Sequence, residues 1–441
     1  MAAPICIVGT GYVGMACVVG LAELGFDVRG YDVQPDRIAR LRSGVTPYRE
    51  AGLEDLLRKH LDGGRVSFYN TLDEAARDSD IVIVAVGTPS REDGSADLSA
   101  IDAVVLDLTN VAFQKRPTIV IRSTVPPGSC DAFGPRIERV GEVVYAPEFL
   151  REGSAVADFL NPDRIVVGST DPGAAVAYVR LFEALQKPVL FTSCINAELI
   201  KCCSNAFLAL KISFANEVAN LCDAVGATAD DVLRGVGYDR RIGAEFLNPG
   251  IGFGGPCFEK DVKSIHHVAG LHESGRELFS ATLKVNENQP RRIVQLLTEE
   301  LGDLEGREIG VWGLAFKSGT DDVRDSLALR IVEDLGRRGA LVIAYDPAVR
   351  IATLPPHCRM AVSALEAASA DALLVLTEWP VFAEMDPRKY APLVRSGVII
   401  DGRNVLDSER VSAAGLRYRG VGRAPALSMS SSSNEDLAVA L

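Results

Sequence analysis

ICIVGTGYVG, residues 5–14, holds an apolar strand, a glycine turn and the first turn of a helix. Gly9, Gly11 and Gly14 match the spacing GxGxxG, and the context is strand (Ile5–Val8) before and helix (to about Leu24) after. That context turns a common pattern into a dinucleotide-binding signature. Gly9 permits the tight turn, Gly11 lets backbone amides approach a pyrophosphate, and Gly14 lets helix and sheet pack closely. The helix N-terminus favours the phosphate charge. A second strand, Phe26–Tyr31, ends at Asp32, 18 residues after Gly14. An acid at about that offset holds a ribose 2′-hydroxyl and repels a 2′-phosphate, so NAD is expected over NADP. Arg37, close by in sequence, weakens that preference slightly.

Outward from this unit, short β-branched runs continue at Ile81–Val86, Thr118–Ile121, Val143–Tyr145 and Ile165–Gly168, with helical stretches between them. Alternation of this kind implies an α/β fold with a doubly wound parallel sheet. From about Asn196 the pattern changes. AELIKCCSNAFLALKISFANEVANLCDAVG has no Pro and no internal Gly, and its thirty or so residues predict a helix of about 45 Å. It is apolar around much of its circumference, which suggests burial between domains or subunits. More helix follows to about Glu299. A second α/β pattern begins near Arg307, with strands in EIGVWGLAF, LVIAYDP, ADALLVLTEW and SGVIIDGRN and a helix in SLALRIVEDLGRRGA. The division is 1–195, 196–300 and 301–424, two Rossmann-like domains joined by a long helix and a helical domain. The serine-rich end, 425–441, reads as a flexible tail.

The 441 residues carry a net charge of -13, whereas a nucleic-acid binder shows a basic surplus. There is no apolar run of membrane-spanning length, and Met1 leads straight into a strand with no basic leader, so the expectation is a cytoplasmic protein. The nine Cys are irregularly spaced with no CxxC pair. Neither a metal site nor a redox dithiol is indicated.

One cysteine differs. PGIGFGGPCFEKD, residues 249–261, sets four Gly around Cys257. This suits a loop whose backbone approaches a ligand. Lys260 follows, and a nearby cation lowers a thiol's pKa. Lys201 and Asn205 share one face of the long helix, although a lysine there could simply snorkel. Glu148 and Glu152 in PEFLREG also stand four apart, and their plainer reading is an exposed helical start. FKSGTDDVRDS, with Lys317 and Arg324, reads plainly as a solvated loop.

Together these segments resemble the UDP-glucose/GDP-mannose dehydrogenase family. The resemblance rests on GTGYVG, VGTP (86–89), STVPPG (123–128), PEFLREGSAVADFLNPDRIVVG (147–168) and AELIKCCSNAFLALKISFANE (197–217). It continues through RRIGAEFLNPGIGFGGPCFEKDV (240–262), GLAFKSGTDDVRDS (313–326), TEWPVF (377–382) and DGRNV (401–405). It implies a four-electron oxidation of a hexose C6 hydroxyl to a carboxylate, with two NAD⁺ reduced. It also implies a homodimer built on the long helix. By resemblance Cys257 is the nucleophile, passing through a thiohemiacetal and a thioester. Lys201 meets the reacting oxygen, Asn205 holds the same oxygen or a water, Asp261 acts with a water, Glu148 is the acid/base of thioester hydrolysis, and Thr124 lies beside it. The NAD set is Gly11, Val13, Asp32, Arg37, Thr88, Thr124, Glu152, Lys260 and Arg324. The nucleotide-sugar set is Glu148, Phe149, Leu150, Lys201, Asn205, the loop Phe246, Leu247, Asn248, Pro249 and Gly250, then Gly254, Lys317 and Arg403. Arg241 resembles an arginine that reaches the partner subunit's substrate. A useful acid/base needs a pKa near the working pH, so partial burial of Glu148 is expected.

The chain departs from the family pattern at Pro256, where Ser is common, at Glu259, where Pro or Gln is common, and at Asp239–Arg240, which replaces Asn-Pro. GGPCFEKD resembles the glucose-oxidising branch, so UDP-glucose is the expected substrate. The alternatives are dTDP-glucose, which differs by one methyl worth about 1–3 kcal/mol in an apolar pocket, GDP-mannose, and a non-catalytic nucleotide-sugar sensor.

Overall fold

The computed structural model of the chain describes residues 3–350 and 354–423; the tail read as flexible, 425–441, lies outside them. The first sheet contains Ile5–Val8 (β1), Val28–Tyr31 (β2), Val66–Tyr69 (β3), Ile81–Val84 (β4), Thr118–Ile121 (β5), Glu142–Tyr145 (β6), Ile165–Gly168 (β7) and Val189–Thr192 (β8). Their spatial order is β3-β2-β1-β4-β5-β6-β7-β8. β1, β4 and β5 read ICIV, IVIV and TIVI and are buried at every position. A central strand covered by helices on both faces requires such an unbroken apolar run. Sequence reading missed β3 and β8, which are the two edges. In β3 buried and half-buried residues alternate, and β8 has no buried residue at all.

The sheet also departs from the all-parallel expectation. β7 runs antiparallel to β6, meeting it at Tyr145 and Gly168, and β8 follows β7. Gly168 is required there, because a Cβ would stand 2.7 Å from Cys194 Cα at the start of the long helix. Strand order reverses between β1 and β4. In such a sheet the ligand crevice opens at the carboxyl ends of the strands on either side of that reversal.

The second sheet is built from Glu308–Trp312 (β9), Leu341–Tyr345 (β10), Cys358–Met360 (β11), Ala372–Val375 (β12), Val398–Asp401 (β13) and Arg417–Gly420 (β14). It is parallel throughout, in the order β11-β10-β9-β12-β13-β14. The short edges β11 and β14 were again absent from the sequence reading.

Between the sheets runs the central helix, Cys194–Val225, 32 residues and so about 48 Å long. The Ser193 hydroxyl accepts the Asn196 amide at its start, and Gly226, at φ 77°, ends it. Its polarity is inverted. The face packed inside the chain carries Glu198, Lys201, Asn205, Ser213 and Asn216, while Phe207, Phe214, Leu221 and Val225 stand exposed. Among the described residues no helix is long and apolar enough to cross a membrane.

Candidate active site

The carboxyl ends of β1, β4, β5 and β6 converge on a cleft of about 840 Å³, lined by Gly11, Val86, Thr124 and Glu148 from those ends and by Cys257, Lys260 and Arg324 from beyond the first sheet. The glycine turn forms one wall. Gly9 has φ +90°, and a Cβ at Gly14 would stand 1.8 Å from the Gly9 carbonyl oxygen. The Gly11 Cβ position, by contrast, has nothing within 4 Å. The helix start is therefore tight behind and open in front, where Gly11 and Val13 line the cleft. Asp32 is buried at the end of β2 and accepts hydrogen bonds from the Thr10 amide (2.8 Å) and the Gln34 amide (3.0 Å), with Arg37 Nη1 at 2.9 Å. Burial opposes its ionisation, but these donors outweigh it and hold the carboxyl below the ordinary range. An open helix N-terminus and an ionised acid beyond the next strand are the chemistry a dinucleotide needs, so the residues fit NAD.

Cys257 caps the helix Phe258–Leu271 and lines the cleft. The nearby lysines do not lower its pKa on balance, contrary to the sequence expectation. Burial together with the carboxylates of Glu148 and Asp261 pushes it up to about 12, against Lys201 and Lys260.

Behind Cys257 lies a network that no single segment announces. Lys201 is 3% exposed and does not snorkel; its Nζ lies 3.1 Å from Glu148 Oε1. Glu148 is buried, not part of an exposed helical start, because PEFLREG is not helical. Its other oxygen accepts the Leu150 amide at 2.5 Å. Asn205 Nδ2 donates to Asp261 Oδ2 (2.6 Å), and Lys260 Nζ reaches Oδ1 of the same carboxylate (2.5 Å). Burial disfavours the Lys260 ammonium, but Asp261 outweighs it and the pKa is raised. The ring of Phe149 packs 5.3 Å from Lys201 Nζ. Thr88 Oγ1 donates to the Thr124 carbonyl at 2.7 Å, joining the segments after β4 and β5.

The far wall comes from the second sheet. Arg324 Nη2 reaches Glu152 Oε1 at 3.1 Å, an ion pair between the two halves of the chain. Burial and the neighbouring Asp322 raise the Glu152 carboxyl above its ordinary value. FKSGTDDVRDS is therefore part of the cleft, not merely a solvated loop. Burial lowers the Lys317 pKa. Arg403, after β13, donates to the carbonyls of Leu376 (3.0 Å), Gly252 (3.2 Å) and Phe316 (3.0 Å). It thus clasps the glycine loop that precedes Cys257. A Cβ at Gly254 would stand 2.6 Å from the Asp325 carbonyl oxygen. Phe246 (φ 64°) packs its ring 6.2 Å from Phe258, Leu247 and Pro249 are buried, and Asn248 is exposed.

Three of the predicted residues, Asp32, Arg37 and Arg241, stand apart. Asp32 and Arg37 pair with each other at the rim, outside the cleft lining. Arg241 is 84% exposed and bound to Asp239 in its own turn, away from the cleft of its own chain. Sequence reading passed over Asn216 and Asn286. Asn216 Oδ1 accepts the Gly250 amide (2.7 Å), while Asn286 accepts the Phe253 amide (2.7 Å) and donates to the Phe253 carbonyl (2.9 Å). Both helices carry many other polar residues, so no local signal marked these two amides; it is their burial, visible only in the fold, that requires partners. Glu259 holds Arg330 at 3.0 Å and Lys263 at 2.6 Å.

Comparison with known proteins finds one family along most of the chain. The NAD binding domain of the UDP-glucose/GDP-mannose dehydrogenase family matches residues 3–186, its central domain 195–288 and its UDP binding domain 310–408. A UDP-glucose 6-dehydrogenase of Bacillus subtilis is 40% identical over 431 residues, 95% of this chain and 97% of the relative. The Pseudomonas aeruginosa UDP-glucose 6-dehydrogenase is 39% identical, again over 95% of this chain and 97% of its own. Among solved structures, a UDP-glucose dehydrogenase from Pyrobaculum islandicum superposes with a TM-score of 0.89 at 38% identity, covering 96% of this chain and 98% of that one.

Proposed function

This chain belongs to the UDP-glucose/GDP-mannose dehydrogenase family, and from that premise we propose that it oxidises C6 of the glucose of UDP-glucose to a carboxylate, with reduction of two NAD⁺. The observation that carries the reading is the meeting of Cys257, Lys201, Glu148 and Asp261 beneath an NAD-shaped glycine turn. Bound NAD⁺ supplies the acceptor for each two-electron oxidation. Gly11, Val13, Thr88, Thr124, Glu152, Lys260 and Arg324 hold it, and Asp32 and Arg37 hold its ribose end.

The chain's own residues do the rest. Lys201 presents a buried ammonium to the C6 oxygen, where fixed charge acts most strongly. Cys257 adds to the aldehyde; a C–S bond forms and the thiol proton ends on the carbonyl oxygen. This thiohemiacetal retains the aldehyde and carries a C–H bond for the second oxidation, which leaves a thioester. Water then attacks the thioester carbon, the C–S bond breaks, and sulfur recovers a proton. Glu148 is the base for that water, while Asn205 and Asp261 order it. Overall one alcohol and one water yield a carboxylate, two NADH and three protons.

The division into 1–195, 196–300 and 301–424 assigns NAD to the first part, pairing to the second and the uridine nucleotide to the third. Phe149, Leu150, residues 246–250, Gly254, Lys317 and Arg403 hold the nucleotide sugar. The apolar face of the central helix pairs with a second copy, which lets Arg241 leave Asp239 for the partner's substrate. The nine free cysteines support a reducing compartment, the cytoplasm.

NADH yield per limiting UDP-glucose tests the reading. Two are expected. One would mean that oxidation stops at the aldehyde and Cys257 has another role. None, with turnover of dTDP-glucose or GDP-mannose instead, would reassign the substrate.

A further inference from the structure

Glu198 takes no part in the reading so far. It lies on the central helix three residues before Lys201, on the packed face, and its exposure is 0%. Among the described residues no cation lies within ion-pair distance of it. Both oxygens instead accept backbone amides from the segment after β5: Gly128 N at 2.6 Å on Oε2 and Cys130 N at 2.8 Å on Oε1. These amides open the helix Ser129–Ile137, whose N-cap residue Gly128 offers no side chain of its own. The cap is thus supplied from another helix. An anion there meets unpaired N–H groups and the positive end of the helix dipole, which offset part of the burial that raises this carboxyl above its ordinary value.

The same segment carries Thr124, bonded through its carbonyl to Thr88. One turn further along the central helix, Cys202 Sγ donates to the Val125 carbonyl at 3.6 Å. Successive turns of one rod therefore hold the Thr88–Thr124 wall (through Glu198 and Cys202), Glu148 (through Lys201) and Asp261 (through Asn205).

We propose that Glu198 is a positioning residue for the reaction: it fixes the segment Ser123–Cys130, and so the Thr88–Thr124 wall of the cofactor cleft, at a set distance from Lys201. The kinetic part rests on the function proposed above. Glu198→Gln is the discriminating variant. A carboxylate accepts two N–H groups, whereas a carboxamide of the same size turns an NH₂ towards one of them.

Hydrogen exchange read by mass spectrometry, NAD⁺ titration by calorimetry without sugar, and steady-state kinetics form the test. Losing one charge-assisted bond should speed exchange across residues 124–131 about tenfold, while residues 205–220 of the central helix stay unchanged. The Kd and KM for NAD⁺ should rise by a similar factor of about ten, while the KM for UDP-glucose stays within about twofold because Lys201 and Asn205 do not move. Unchanged exchange at 124–131, or a fall in kcat with both KM values intact, overturns the proposal, since the latter is what a loss of folded protein produces. If the variant does not fold, the wild-type protein decides: fast exchange at the Gly128 and Cys130 amides overturns it, and core-like protection supports it. Failure of the wild-type protein to oxidise UDP-glucose would defeat the function, not this arrangement, which the exchange and NAD⁺ titration still judge.

Discussion

Glu148→Gln should make Cys257 more reactive towards iodoacetamide, by an amount the site allows us to bound. With its thiol pushed up to about 12 by burial, Glu148 and Asp261, Cys257 is thiolate to about one part in 10⁴ at pH 8, against about one in four for a free cysteine near 8.5. A more basic thiolate is intrinsically more nucleophilic by about half a log unit per pKa unit. The net handicap relative to free cysteine is therefore roughly 45-fold. Removing a like charge beside an ionising group lowers its pKa by about 1–3 units. Each unit gains tenfold in thiolate and loses about threefold in nucleophilicity, so alkylation at pH 8 should accelerate about 3- to 40-fold. The variant also releases Lys201 from its 3.1 Å partner, which acts in the same direction. The assay is the time course of modification of the Cys257 peptide by mass spectrometry, with N-acetylcysteine as reference and circular dichroism to confirm folding. Modification no faster than wild type would refute the argument. So would a wild-type rate that levels off well below pH 10.

Lys201→Met strands the Glu148 carboxylate in the interior, and urea unfolding at pH 7.5 should show a loss of about 3–5 kcal/mol; adding Glu148→Gln should restore part of it, and no recovery would separate the pair energetically. Gly14→Ala forces a methyl against the Gly9 carbonyl, so calorimetry should find NAD⁺ binding lost, and a wild-type Kd would contradict the tight-turn assignment. Cys257→Ser should bind UDP-glucose normally yet fail to sustain NADH production, and unimpaired turnover would exclude the covalent route. The raised carboxyl of Glu152 means the folded state holds a proton the unfolded state has lost, so stability should fall as pH rises from the ordinary glutamate value through the folded one. Glu152→Gln should flatten that slope in thermal melts; an identical slope would remove Glu152 as its source.

The parts of the fold that were legible in the sequence are those where burial is complete. ICIV, IVIV and TIVI announce interior strands because water touches neither face. β3, β8, β11 and β14 do not, because an edge strand needs only a few apolar residues and can be as short as three. The reversal at β7 left no local mark, since an antiparallel and a parallel strand of four apolar residues look alike. In the site, Cys257 stood out because glycines around a thiol suit neither helix nor strand. The pairing of Lys201 with Glu148, 53 residues away in sequence, could not be read, because helical spacing places a residue on a face without saying what that face meets. The thiol was misjudged for a related reason. Lys260 is its neighbour in sequence, but burial, with the carboxylates of Glu148 and Asp261, outweighs it in space.

The clasp of Arg403 on Gly252 spans 151 residues, and that of Arg324 on Glu152 spans 172. Closing such long loops carries an entropic cost that must be met before any contact rewards it, and contacts this distant in sequence slow folding. A chain leaving the ribosome folds its amino-terminal portion first, so its glycine turn can close long before β13 has been synthesised. The loop before Cys257 can be held early by Asn216 and Asn286, but its tie to the second sheet waits for Arg403. The fastening of the Cys257 loop by the second sheet is accordingly among the last contacts the polypeptide acquires, and a message cut short anywhere before codon 403 yields a protein without it.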